Sequence, residues 1–185
     1  MGTVVVKQWM SLDGVVESES MATWFAPFHS DARGARITAD LAEADAMVMG
    51  RRTYETLAPY WSVLQNNEMG VADRINGMKK YVASHSMTNP TWINAEVLPG
   101  DAVTAVATLK NESDDLLYVD GSAHLAGQLL AAGLVDELRL LINPVVMGRG
   151  VNFYDAVPPG TVLEPVAITP LDLGVVAARY AVRQG

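Results

Sequence analysis

Four apolar residues, Ala46 to Met49, run unbroken into Gly50; Arg51, Arg52 and Thr53 follow before a helical spacing of Tyr54, Leu57, Ala58 and Trp61 sets in. So short and apolar a run reads as a strand covered on both faces, the signature of a parallel sheet between helix layers. The switch at Gly50 is a strand-to-helix turn. Such a turn gathers free helix N–H groups, the positive end of a helix dipole and two guanidinium forks at one point. The stretch therefore predicts an α/β fold with an anion site at Gly50, Arg51, Arg52 and Thr53. A surface charge pair after a strand is the plainer alternative, because the stretch is neither a Gly-x-Gly-x-x-Gly fingerprint nor a Walker loop.

Composition narrows the anion. Thirteen basic residues against 21 acidic ones give a formal charge of −8, which repels a nucleic-acid backbone and leaves a small anionic molecule as the expected partner. Half of the 185 residues are hydrophobic, enough for one domain, residues 1–185, with a large core. With no cysteine, a disulfide scaffold and a thiol nucleophile are excluded. His29, His85 and His124 are too scattered for a metal site, so no metal is expected. The sequence shows no secretion signal and no membrane-length apolar run, so a soluble, cytoplasmic protein without a membrane partner is expected.

Along the chain, residues 3–10 read as a central strand that leaves through Ser11-Leu12-Asp13-Gly14. Asp13 either caps its turn or stands as a carboxylate beside Val15 and Val16, placed to hold or protonate a substrate. Residues 17–33 suggest a loop or lid with a short helix, in which Trp24 and Phe25 are candidate pocket walls, with a core aromatic cluster as the alternative, and residues 31–44 form an amphipathic helix. A polar loop over 65–77, with a possible short helix, precedes a third strand, 79–84. That strand ends in Ser84-His85-Ser86, on the side of a parallel sheet where ligands gather; turn residues bonded to their own backbone are the local alternative. Residues 91–94 and 95–98 look like strand material, and 102–109 like a helix that stops at the polar run 110–115. A second strand-to-helix turn follows: strand 116–119, then Asp120-Gly121-Ser122, then a helix over 125–132. Its Gly121, Ser122 and Ala123 are small enough to admit a pyrophosphate. A strand at 138–142, a mobile loop around Gly148 and Gly150, and an antiparallel edge pair at 162–168 and 175–182 complete the pattern.

Several of these segments, taken in order, resemble the dihydrofolate reductase-like superfamily. They are Ser11-Leu12-Asp13-Gly14, Met49-Gly50-Arg51-Arg52-Thr53-Tyr54-Glu55, Val82-Ala83-Ser84, Gly121-Ser122, and Gly133-Leu134-Val135-Asp136-Glu137-Leu138 with Asn143-Pro144-Val145-Val146-Met147-Gly148. Within the superfamily they are most similar to the branch of the C-terminal reductase domain of the bifunctional riboflavin-biosynthesis deaminase-reductase. The resemblance implies a three-layer fold with a mostly parallel central sheet and an antiparallel C-terminal edge hairpin, a homodimer, and NADPH as cofactor. It would place Arg51 at the 2′-phosphate and Arg52 and Thr53 at the pyrophosphate. Ser84, His85 and Ser86 would line the adenosine half, and Gly121, Ser122, Ala123, His124 and Leu125 would cradle the phosphates through their backbone. Val16 would border the nicotinamide.

The implied reaction is hydride transfer to a C=O or C=N of a small pterin-like or pyrimidine-like substrate. Asp13 would donate a proton or position the substrate, with Leu57 and Trp61 as further walls. Two departures stand out. Asp120 sits where many relatives have glycine, and a carboxylate beside a pyrophosphate is unhelpful unless it points away. No deaminase domain precedes the pattern, so the riboflavin-pathway substrate does not follow. A nucleotide-binding sensor without catalysis and a flavin-linked reductase are the alternatives.

Overall fold

A computed structural model describes residues 1–183; the last two residues of the expected domain lie outside the described residues. In chain order the elements are β1 (Thr3–Ser11), α1 (Met21–Trp24), α2 (Asp31–Glu43), β2 (Ala46–Gly50), α3 (Arg51–Trp61), α4 (Ala72–Gly77), β3 (Lys79–Ala83), β4 (Ala95–Val97), α5 (Ala102–Glu112), β5 (Leu116–Asp120), α6 (Ala123–Ala131), β6 (Glu137–Asn143), β7 (Leu163–Pro170) and β8 (Val176–Val182). They build one eight-stranded sheet of order β4-β3-β2-β5-β1-β6-β8-β7. Neighbours from β4 to β6 are parallel, and β6·β8 and β7·β8 are antiparallel. The α/β class, the mostly parallel sheet and the C-terminal edge hairpin are thus as the sequence indicated.

The period of two along β1 divides the core. Val4 and Val6 join Val48, Leu117, Val119, Leu125 and Leu129 on the α5/α6 side, whereas Val5 joins Leu41, Met47, Met49, Tyr54 and Tyr118 on the α2/α3/α4 side. Each fully buried aliphatic side chain contributes about 1.5–3 kcal/mol, so both layers are needed to hold the sheet. Among the described residues no helix is long and apolar enough to cross a membrane.

Three local expectations need correction. Residues 91–94 form no strand: Asn94 adopts a left-handed φ of 59°, and buried Trp92 is tied to Asn76 Oδ1 (2.7 Å) and the Tyr54 hydroxyl (2.9 Å), which turns the chain before β4. The polar run at 110–112 does not stop α5. Lys110 is buried and donates to the Leu134 carbonyl (2.8 Å) and to Asp136 (2.6 Å), so a charged residue serves as a core anchor and carries the helix on to Glu112. The segment around Gly148 and Gly150 is laced to the exit of β1.

Candidate functional site

Parallel pairing brings Ala83, Gly50, Asp120, Ser11 and Asn143 to the same end of the sheet, as the last residues of β3, β2, β5, β1 and β6. Ligands of parallel sheets gather at this end. Because β2 and β5 are adjacent, their two strand-to-helix turns touch. Ser122 Oγ accepts the Gly50 N–H (2.9 Å), and its proton faces Thr53 Oγ1 (2.9 Å) and the Asp120 carbonyl (3.1 Å). Gly121 and Ser122 both take left-handed φ values, 56° and 53°. That backbone costs a serine about 1–2 kcal/mol, which the side-chain bonds across to β2 offset. The unpaired N–H groups of the first turns of α3 and α6 thus lie side by side.

Charge is distributed unevenly around this junction. Arg51 is exposed and pairs with Glu55 one turn along α3 (2.7 Å), while Arg52 is exposed and has no ion-pair partner among the described residues. Asp120 is turned aside: its carboxylate pairs with Lys7 across the β1/β5 register, so its charge is neutralised on the α2 side of the sheet. Ser84 Oγ accepts the N–H groups of Ser86 (3.2 Å) and Met87 (2.9 Å), which leaves His85 and Ser86 exposed beyond the end of β3. His124 is exposed on the first turn of α6, whereas the Leu125 side chain is core and has only its backbone to offer.

Asp13 stands one strand further on and is fully bonded. Its carboxylate accepts Ser11 Oγ–H (2.6 Å) and the backbone N–H groups of Met147 (3.0 Å) and Gly148 (2.7 Å). The Ser11 hydroxyl, followed by those two N–H groups, holds its pKa down from 3.8 to about 2. An ionised, saturated carboxylate anchors a loop. Glu17 repeats the device by accepting Val151 N–H (3.0 Å), Val16 N–H donates to the Val151 carbonyl (2.9 Å), and Val15 bridges Asn152. Gly14, at φ 85°, is required here, because a Cβ would fall 2.6 Å from the Tyr154 ring. The expected mobile loop is therefore one rim with the β1 exit, and half-buried Val16 lies on it.

Because the folded pKa of Asp13 is depressed, this anchoring is complete above the unfolded value near 3.8 and is lost as pH falls through about 2. Amide exchange at Met147 and Gly148 should accelerate on the order of tenfold in Asp13→Ala at neutral pH, the scale of one lost hydrogen bond. Unchanged protection would show that the loop holds itself.

The expected substrate walls separate. Trp24 is buried and donates from Nε1 to the Glu17 carbonyl (3.1 Å), so it is core and presents no free face; that expectation is corrected. Leu57 and Trp61 pack half-buried against the α2/α3/α4 core, and ten residues of helix place Trp61 about 15 Å along α3 from Arg51. Two residues not picked out from the sequence stand closer to the β1 exit: Lys7, whose Nζ lies over the Trp9 ring, and Trp9, which stacks on the expected pocket residue Phe25. Their signal was the period of two within β1, which sends Lys7 and Trp9 to one face with Asp120 and Leu141 on the flanking strands.

The RibD C-terminal domain family model matches residues 2–177. The uncharacterized protein YyaP of Bacillus subtilis (strain 168) is 25% identical over 182 residues, covering 96% of this chain and 93% of that protein. Among solved structures, a provisionally described riboflavin biosynthesis protein from Shewanella sp. PV-4 superposes with a TM-score of 0.80 at 18% identity, over 98% of this chain and 99% of that one. Dihydrofolate reductase from Enterococcus faecalis, complexed with NADP(H), gives a TM-score of 0.68 at 15% identity over 99% and 98% of the two chains. The fold is thus one that reductases use.

Proposed function

Because this chain belongs to the RibD C-terminal domain family, we propose that it is an NADPH-dependent reductase that passes hydride to a C=O or C=N of a small pterin-like or pyrimidine-like compound. The observation that carries this reading is the junction of the β2–α3 and β5–α6 turns, where Ser122 ties Gly50 to Thr53 and two helix starts converge. That junction fits a dinucleotide. A Cβ added at Gly121 would have nothing nearer than Thr53 at 3.8 Å, so the backbone is open to a phosphate, and the Asp120 carboxylate is held away by Lys7.

Thr53, Arg52 and the N–H groups of residues 122–125 would hold the pyrophosphate over the open backbone of Gly121, whose own N–H is taken by the Lys7 carbonyl (3.2 Å), and Arg51 would hold the 2′-phosphate. Ser84, His85 and Ser86 would lie along the adenosine half, with Val16 at the nicotinamide. Bound NADPH supplies the hydride. The protein aligns the acceptor and keeps water out, and Asp13, ionised and saturated, acts as a positioning residue that fixes the rim around Val16. We include in the proposal a cytoplasmic homodimer of the 19.9 kDa chain, which sedimentation would report as twice that mass.

The saturation of Asp13 also favours a second reading, a nucleotide-binding sensor on the same fold, since it leaves that carboxylate no proton to give. One experiment separates the two. NADPH absorbance is followed against a panel of pterins, pyrimidines, flavins and carbonyl compounds. Turnover of a pterin or pyrimidine supports the reductase, turnover of flavins alone makes it flavin-linked, and tight NADPH binding with no turnover on any compound makes it the sensor.

A further inference from the structure

Four side chains outside the cofactor junction form one stack at the carboxyl end of β1. Lys7 Nζ lies 3.5 Å from the centre of the Trp9 ring. Trp9 and Phe25 are stacked with centroids 4.5 Å apart and planes 9° from parallel. The Arg33 guanidinium lies 4.0 Å over the Phe25 ring. At those distances Lys7 and Phe25 cannot share one face of the indole, nor Trp9 and Arg33 one face of the phenyl ring. The order is therefore Lys7, Trp9, Phe25, Arg33.

Three of the four are held by elements of the sheet or of α2: Lys7 is buried and paired with Asp120, Trp9 is carried by a central strand, and Arg33 is buried on α2, from which its Nη1 donates to the Phe25 carbonyl (2.6 Å). Phe25 differs: its backbone is tied to Met21 and Arg33, but its partly exposed ring, which meets Trp24 only edge-on (5.8 Å), sits on the single residue joining α1 to the short turn Ala26–Phe28 and can leave the slot by turning about its own side-chain bonds. The slot between an indole face and a guanidinium is the setting in which a flat heteroaromatic ring is held by stacking and cation–π attraction. Here a benzene ring fills it. The cleft beside it, lined by Lys7, Trp9, Arg36, Asp40, Leu141 and Thr169 among others, has a volume of only ≈ 80 Å³. Sites that enclose small molecules run to roughly 300–1,000 Å³, so this cleft takes a bicyclic ring only if the slot opens into it.

We propose that Trp9 is the stacking platform for the hydride acceptor, a flat nitrogen heterocycle, and that Phe25 is a displaceable stand-in that keeps the slot closed until such a ring enters. The proposal rests on the reductase reading for what happens to the ring once bound. Its binding step does not.

Lumazine, a fluorescent pteridine dione, serves as the probe. It is titrated by its own fluorescence into the wild-type protein and into Phe25→Ala, Phe25→Leu and Trp9→Leu, each checked for wild-type circular dichroism. Removing a competing stacked ring should tighten lumazine about fivefold to tenfold in Phe25→Ala, and removing the platform should weaken it about tenfold in Trp9→Leu. Phe25→Leu keeps apolar bulk without a flat face, so tightening there too separates a displaced ring from a loosened loop. Weaker or equal binding in both Phe25 variants, binding indifferent to Trp9→Leu, or no lumazine binding to any of the four proteins overturns the proposal. NADPH affinity, measured in the same samples, should not change. A protein that takes lumazine on Trp9 but ignores NADPH supports the platform and sinks the reductase reading alone. One that binds NADPH but takes lumazine independently of Trp9 sinks only the platform.

Discussion

Arg51→Ala should weaken NADPH binding by about tenfold to a hundredfold and leave NADH nearly unchanged. The two cofactors differ only by the 2′-phosphate, and a charge-assisted hydrogen bond to such a group is worth about 1.5–3 kcal/mol, which sets the range. Part of that is spent beforehand, because Arg51 must loosen its contact with Glu55. Both partners of that pair are close to half exposed, at 44% and 49%, so loosening it costs about 0–1 kcal/mol and cannot cancel the gain. Arg52, which has no ion-pair partner among the described residues, supplies the comparison. Arg52→Ala should weaken NADPH and NADH together, as loss of a pyrophosphate contact would. Fluorescence titration of both cofactors into both variants reads the four affinities. If Arg51→Ala lowers NADPH and NADH affinity equally, Arg51 does not read the 2′-phosphate.

What could be read from the sequence follows the range of the interactions. The turns at Gly50 and Gly121 are visible because a short buried strand, a small residue and a helix start lie within a dozen positions, and each is decided locally. Their contact is not visible: Ser122 reaches Gly50 across 72 positions of chain, and only the strand order that seats β5 beside β2 makes them neighbours. Asp13 shows the same division. Its place at the end of β1 follows from Ser11-Leu12-Asp13-Gly14, but its partners lie 134 and 135 residues on. A carboxylate that looks free in sequence is therefore saturated in the fold. Trp24 was misread for a related reason, since an aromatic in a polar segment shows no periodicity that would reveal its burial. Lys7 is not legible either, because a lysine within a valine-rich strand gives no hint that Asp120 and the Trp9 ring will share its ammonium.

The largest expected stability effect falls on Arg139, which holds α2 to the sheet. Only 4% exposed, it donates to Glu137 Oε1 (2.6 Å), Asp40 Oδ1 (3.2 Å) and Glu43 Oε2 (2.5 Å), and its register places it between Lys7 on β1 and Arg179 on β8. Three cations in line across adjacent strands repel one another unless acids interleave them, and Asp120, Asp40, Glu43 and Glu137 do so. Arg139→Met keeps most of the volume and removes the charge. Glu137 and exposed Glu43 retain Arg179, but buried Asp40 is left with Arg36 alone. Breaking a buried pair from one side costs about 3–5 kcal/mol, which in a chain of this size lowers Tm by roughly 6–20 °C.

The pH dependence identifies the group responsible. Burial already raises the Asp40 pKa above the usual carboxylate value, against the pull of Arg36 and Arg139, and losing Arg139 raises it further. An acid whose folded pKa is raised binds its proton more readily in the native state, so stability falls as pH rises through that pKa and recovers on acidification. The penalty of Arg139→Met should therefore shrink between neutral pH and about pH 5, and Asp40→Asn added to it should recover part of the loss at neutral pH. Urea unfolding of the two variants at both pH values measures this; a penalty below about 1 kcal/mol, or one independent of pH, would mean that the interleaved charges do not hold α2 in place.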